Sequence, residues 1–323
     1  MSDVAATSSG TSGDRGSVGL FGAGVIGSGW TAFYLARGYR VKVHDPAPEA
    51  EQRTRDYLDR TWPQVVRSAP GAPTSVAHER LTFESDVDAV AGVDIIHENG
   101  PESVERKQEI YGRIEASADD RALILSSSGG LMPSLLQADM SHPERLVVAH
   151  PLSPVYALPL VEILGGAKTS EQSLDTASEH LTTLGKHVIR LHKEVPGYLT
   201  NRLTFALVRE AVHCLLEGVA DAQAIEDAVV YGVTPRYVLG GALTSLAVAG
   251  GGDTGAESMT KVVTYFAPAI EEWWSDLGAP TMTQDVKDAL VAAADAILGD
   301  RQLSDVVAER DAAVVEIVET FHS

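Results

Sequence analysis

Residues 18–29 read Val-Gly-Leu-Phe-Gly-Ala-Gly-Val-Ile-Gly-Ser-Gly, and no other stretch of the chain constrains the fold as much. A short β-like run, Val18 to Phe21, enters Gly22-Ala23-Gly24-Val25-Ile26-Gly27 without a spacer. A helical pattern follows through Trp30, Phe33, Tyr34 and Leu35. Each glycine has its own reason: Gly22 for a tight turn, Gly24 for close approach of the backbone to a pyrophosphate, Gly27 for packing of the helix on the strand. The helix start, at Val25 and Ile26, offers unpaired N–H groups and the positive end of a dipole to phosphates. A second strand pattern, residues 40–45, ends on Asp45, about twenty positions on, where the ribose-binding acid of this fingerprint stands. The expectation is a dinucleotide-binding turn rather than a merely glycine-rich one. Asp45 accepts from ribose hydroxyls and repels a 2′-phosphate, and Pro46 and Ala47 bring no arginine, so NAD is expected over NADP. The same carboxylate suits a helix N-cap.

With 323 residues the chain can bury two domains. A net charge of −20 argues against nucleic acid or an anionic membrane as partner, because both need a basic footprint. The single cysteine, Cys214, excludes an intrachain disulfide and fits a reducing compartment; its leucine neighbours suggest a core thiol on a helix. Residues 1–15 are small and polar, lack the apolar stretch of a signal peptide, and read as a disordered tail. No apolar run approaches a membrane span. A cytoplasmic protein is expected.

From residue 16 to 194 short apolar runs alternate with amphipathic ones, the pattern of an α/β domain with a doubly wound, mostly parallel sheet. Strands are expected at 80–83, 93–97, 123–126, 146–149, 160–164 and 187–191, and helices at 57–66, 104–116 and 171–184. Beyond Pro196-Gly197 the pattern turns helical, at 201–217, 222–230, 260–275, 283–298 and 303–321. Residues 195–323 are therefore expected to form an all-α substrate and dimerisation domain. The helix at 201–217 carries more apolar positions than one stripe needs, which suits a homodimer interface that closes over the site.

Two segments carry candidate chemistry. Asp94-Ile-Ile-His-Glu-Asn-Gly-Pro-Glu102 leaves a strand at the carboxyl edge of the sheet, where Glu98 or Glu102 could reach the nicotinamide ribose. In residues 149–162, His150 ends one strand and Glu162 lies on the next, across a Pro-bounded loop. A carboxylate on one imidazole nitrogen leaves the other free to take an alcohol proton. From spacing alone a structural ion pair is an equal reading. No CxxC or HExxH is present, so no metal site is expected.

The stretches GAGVIGSGW, SSSGGLMPS, SHPERLVVAHPLSPVYALPLVEILGG and KEVPGYLTNRL resemble the 3-hydroxyacyl-CoA dehydrogenase superfamily, over nearly the whole chain after the tail. The likeness is strongest to its branch acting on free hydroxy acids, the carnitine and gulonate 3-dehydrogenases with λ-crystallin. The resemblance implies His150 as general base, Glu162 as its orienting partner, and Asn201 on substrate or a catalytic water. It also implies Glu102 near the nicotinamide ribose, and a homodimer. Two departures stand out. Gly129 occupies the position of a family serine, after Ser126-Ser127-Ser128, and Leu152 and Ser153 replace Phe and Asn. Loss of such a hydroxyl typically costs about 2–4 kcal/mol of transition-state stabilisation. Ser127 or Ser128 substitutes for it, or Gly129 makes room for a bulkier group, or catalysis is weakened. Residues 45–68 hold four arginines against five carboxylates, no cradle for the phosphates of a thioester carrier. A small hydroxy or oxo acid is expected as substrate, with a CoA or carrier-protein thioester, or an NAD-binding protein without catalysis, as alternatives.

Overall fold

The computed structural model describes residues 15–84 and 92–321. The expected tail over 1–15 lies, Arg15 apart, outside the described residues. Eight strands form one sheet: β1 (Ser17–Phe21), β2 (Arg40–His44), β3 (Leu81–Glu84), β4 (Ile95–Glu98), β5 (Leu123–Ser126), β6 (Leu146–Pro151), β7 (Leu160–Leu164) and β8 (His187–Arg190). Their spatial order is β3-β2-β1-β4-β5-β6-β7-β8. Every neighbouring pair is parallel except β6 and β7. This is the doubly wound arrangement expected, with its topological switch between β1 and β4, outside whose carboxyl ends such sheets bind ligands. β5 and β6 are buried along their whole length, as parallel strands covered on both faces must be, which is why they read as continuous apolar runs.

Helices α1 (Val25–Leu35), α2 (Ala50–Ser68), α3 (Val104–Ser117), α4 (Pro133–Leu136) and α5 (Glu171–Thr183) belong to the sheet region. One core cluster gathers Trp30, Phe33 and Leu35 of α1 with Leu58 and Trp62 of α2 and Leu181 of α5. A second gathers Tyr111 and Ile114 of α3 with Ile96, Ile124 and Leu136. Burying each such side chain is worth roughly 1.5–3 kcal/mol. α2 begins seven residues before the expected 57. Its first turns bury only the short Ala50 and Thr54, and exposed Glu51–Arg55 and Gln52–Asp56 pairs run along its outside. A hydrophobic period search passes over such a face. Ser103 and Ser170 cap α3 and α5 by accepting from Arg106 N and Ser173 N.

After β8 the chain is helical: α6 (Thr200–Leu216), α7 (Ala222–Asp227), α8 (Thr234–Tyr237), α9 (Ala242–Ala249), α10 (Gly255–Asp276), α11 (Gln284–Leu298) and α12 (Leu303–Phe321). The helix expected at 222–230 is shorter and passes into a π-helical stretch, Ala228–Val233. α9, absent from the expected set, is a short run of small and apolar residues broken only by Thr244 and Ser245, with little period to read. Among the described residues no helix is long and apolar enough to cross a membrane.

Two compact units result. The first runs through Asn201 and takes in Ala308–Glu319 of α12, whose Val315 joins the sheet core and whose Asp311 accepts from the Tyr156 hydroxyl at 2.9 Å. The second comprises Arg202–Val307 with Thr320 and Phe321.

Candidate active site

The glycine turn is built as its residues require. Gly22 has φ +92°, and a Cβ there would stand 2.6 Å from Asn99 O; a Cβ on Gly27 would stand 2.0 Å from Gly22 O. Neither position admits a side chain. Around Gly24, by contrast, nothing lies within 4 Å of a Cβ position, so the backbone is open on the side a pyrophosphate would occupy. No side chain caps α1 and no acid sits in its first turn, which leaves the N–H groups at Val25 and Ile26 to a ligand. Asp45 follows β2, its Oδ2 accepting from Ala23 N at 2.7 Å and its Oδ1 from Ala47 N at 2.9 Å. The carboxylate is thereby tied to the turn itself. These residues fit a dinucleotide: the turn and helix start for the diphosphate, Asp45 for the adenosine ribose.

Of the two carboxylates after β4, Glu98 turns inward. It is fully buried and takes Lys107 Nζ at 2.8 and 3.0 Å, Tyr111 Oη at 2.8 Å, Ser126 Oγ at 2.7 Å and Gly100 N at 2.6 Å. Burial, then the Glu98 charge, holds the Tyr111 phenol well above its ordinary value, so it donates and does not ionise. Glu102 remains half-exposed. Its Oε1 accepts from Ser128 Oγ at 2.7 Å, Gly129 N at 2.9 Å and Gly130 N at 3.1 Å. Among the described residues Oε2 accepts no hydrogen bond and lies 3.7 Å from Lys107 Nζ. One carboxylate oxygen thus anchors the serine–glycine loop.

His150 and Glu162 are direct partners across the antiparallel ladder of β6 and β7. Their side chains meet at 2.8 Å, Nδ1 to Oε2. Glu162 is fully buried. Oε1 accepts from Leu199 N at 3.0 Å and Thr200 N at 2.8 Å, and Oε2 from the Thr200 hydroxyl. Burial alone would raise its carboxyl, yet hydrogen bonds from His150 and Thr200 outweigh this and hold it below the ordinary carboxylate range. With Glu162 ionised, His150 Nδ1 is the donor of this contact, which in the neutral imidazole leaves the lone pair on Nε2. That nitrogen faces Gly129, where a Cβ would lie 3.6 Å from it and 3.6 Å from Asn201 Nδ2. Asn201 donates to Gly129 O at 2.7 Å. His150, Glu162, Asn201 and Gly129 therefore share one locale. The neighbouring serines point elsewhere: Ser127 Oγ donates to Asn99 Oδ1 and accepts from Trp30 Nε1, and Ser128 is buried on Glu102.

Several residues of this locale have no counterpart in the sequence reading. Thr200 and the Leu199 amide fix Glu162 from a segment nearly forty positions away. Tyr198 sits at φ 51°, hydrogen bonds to Leu131 O at 2.5 Å, and stands edge-on to the His150 ring at 5.5 Å. The VPGYLT stretch was itself a signal, since a glycine before a helix start marks a turn. Its partner across the fold was not readable. Cys214 lies on α6 as expected but is only half-buried, its thiol near Glu210 of the same helix.

An open glycine turn with a ribose acid, and a His–Glu pair on the same sheet, define an NAD-dependent dehydrogenase acting on a CH–OH group. The chain belongs to the 3-hydroxyacyl-CoA dehydrogenase family: residues 17–195 match its NAD binding domain and residues 197–277 its C-terminal domain. Among curated relatives, the L-carnitine dehydrogenase of Streptomyces coelicolor is 38% identical over 304 residues, covering 93% of each chain. That of a Pseudomonas species is 39% identical over 301 residues, covering 93% of this chain and 92% of the relative. Among solved structures, 5-formyl-3-hydroxy-2-methylpyridine 4-carboxylic acid 5-dehydrogenase, an NAD+-dependent dismutase, superposes with a TM-score of 0.81 at 25% identity, covering 95% and 98% of the two chains. The (S)-3-hydroxybutyryl-CoA dehydrogenase of Ralstonia eutropha gives a TM-score of 0.61 at 25% identity, covering 78% and 88%.

Proposed function

We propose that the protein interconverts a small 3-hydroxy acid and its 3-oxo form, with His150 as general base. The observation that carries this is the Nδ1–Oε2 contact of 2.8 Å between His150 and Glu162, which leaves Nε2 facing the open position at Gly129. NAD, when bound at the glycine turn, supplies the hydride acceptor. His150 Nε2 takes the hydroxyl proton of the substrate, and Glu162 stabilises the ring as it becomes positively charged. Asn201, turned to Gly129 O, orients the reacting oxygen or a water beside it. Glu102 Oε2 meets the nicotinamide ribose. The space at Gly129 takes a substituent of the reacting carbon, because the hydroxyls of Ser127 and Ser128 are engaged by Asn99 and Glu102.

The free-acid reading rests on the charge balance of α2, and on relatives whose names specify carnitine, itself a small 3-hydroxy acid. A thioester is the second reading, favoured by the family's name and the Ralstonia eutropha likeness. A panel of free 3-hydroxy acids and 3-hydroxyacyl thioesters, followed by NADH appearance, separates them. Turnover of free acids is expected; turnover of thioesters alone transfers the proposal to the second reading. NAD binding without turnover of anything would mark a silent binding protein.

We also propose that the region from residue 195 onward serves substrate binding and homodimer formation. Within the second unit Leu203, Phe205, Trp273 and Trp274 are each more than 60% exposed. Apolar surface of that extent is rarely left to water and marks an association site. A second copy of the chain is the partner argued for, under the closed symmetry most soluble oligomers adopt.

A further inference from the structure

Three arginines surround a cleft that the dehydrogenase chemistry leaves unused. It measures about 910 Å³ and is lined by Arg15, Arg37 and Arg80, with Glu79 the one carboxylate among the described residues of its wall and Leu35 and Leu184 among its apolar groups. Arg15 lies just before β1, Gly38 just before β2, and Arg80 leads straight into β3. The cleft is thus at the start of these strands, whereas cofactor and substrate in open α/β sheets bind at the carboxyl ends.

Arg37 is held in one orientation. Its Nε donates to Leu184 O at 2.6 Å, its Nη1 to Phe33 O at 3.0 Å, and its guanidinium lies 3.6 Å from the centre of the Phe33 ring. Burial lowers this guanidinium to about 10, opposed by the neighbouring Tyr34 and assisted by the like charge of Arg15. Arg80 Nη1 donates to Gly38 O at 2.7 Å. Among the described residues, no carboxylate is within ion-pair distance of any of the three. In a chain of net charge −20, three guanidiniums around one cleft are a local excess of positive charge.

We infer that this cleft binds a small multivalent oxyanion, a phosphoryl- or polycarboxylate-bearing metabolite. The guanidinium fork matches either group in bidentate geometry. The volume lies within the range of small-molecule sites, and the leucine and proline walls accept an organic moiety. The competing explanation is that the arginines only satisfy the carbonyls they touch.

The test is calorimetry on the full chain saturated with NADH, so that the glycine turn is filled, at low ionic strength. The probes are inorganic pyrophosphate and citrate, and the tighter of the two assigns the group to the phosphoryl or the carboxylate class. One ligand per chain is expected, weakening as salt is added. Arg15→Gln and Arg80→Gln should each weaken binding about fivefold or more, and Glu79→Gln should tighten it. Arg15 is exposed, so its replacement leaves the fold alone; NADH affinity checks this. Neither probe binding, or affinity unchanged in Arg15→Gln, overturns the inference.

Discussion

Glu162 gives up all contact with water and gains donors from His150, Leu199 and Thr200 in return. Its carboxyl is held below the ordinary range, so the sign of its linkage to stability is fixed. The contribution is full above the unfolded carboxylate value and is lost as pH falls through the lower folded one. Glu162→Gln should remove this dependence: denaturation midpoints of wild type and variant should converge as pH falls through that window. Parallel midpoint curves would show the carboxylate is not ionised in the folded protein. The same variant should also lower the rate of NADH formation, by less than the loss of His150 itself does. At the end of β2, Asp45 is pinned by Ala23 N and Ala47 N, and as the proposed ribose acid it would repel a 2′-phosphate. Fluorescence titration should show NADH bound more tightly than NADPH, and Asp45→Ala should narrow the difference; equal wild-type affinities would remove Asp45 from that role. Both residues were legible in the sequence because each ends or occupies a strand beside a recognisable turn. Thr200 and Tyr198 were not, because their roles depend on where the chain returns.

At the scale of elements, strands were read to within a residue or two wherever burial on both faces made them continuous apolar runs, as in β5 and β7. What no apolar pattern could reveal is the polar system between β4, β5 and α3. Lys107 is buried and bridges both oxygens of Glu98 and Gly100 O. On a helix surface pattern a lysine reads as solvent-facing; only the partner carboxylate, nine positions earlier on a strand, turns it inward. Lys107→Met should leave Glu98 buried without its countercharge and cost about 3–5 kcal/mol. Urea unfolding measures this, and a loss under about 1 kcal/mol would show that the buried pair contributes little to stability. The antiparallel β6–β7 ladder is the other element-level feature of consequence. It sets His150 opposite Glu162 in register, and a shift of one residue would turn one side chain to the other face of the sheet.

At the scale of the molecule, the division into an α/β part and a helical part was visible as a change of hydrophobic period. The return of Ala308–Glu319 to the first unit was not, because helix α12 reads as one amphipathic stretch whichever body it joins. The exposed aromatic and leucine side chains of the second unit lead to a prediction at this scale. Light scattering at low micromolar concentration should give the mass of a dimer, and a monomer with full NAD-dependent activity would contradict it. The central claim, that His150 draws the proton from a small 3-hydroxy acid, has a more direct test. On a free 3-hydroxy acid turned over by the wild type, His150→Ala should lower the rate of NADH formation about 100-fold or more while NADH affinity stays unchanged. Full activity of the variant on that acid would contradict the account.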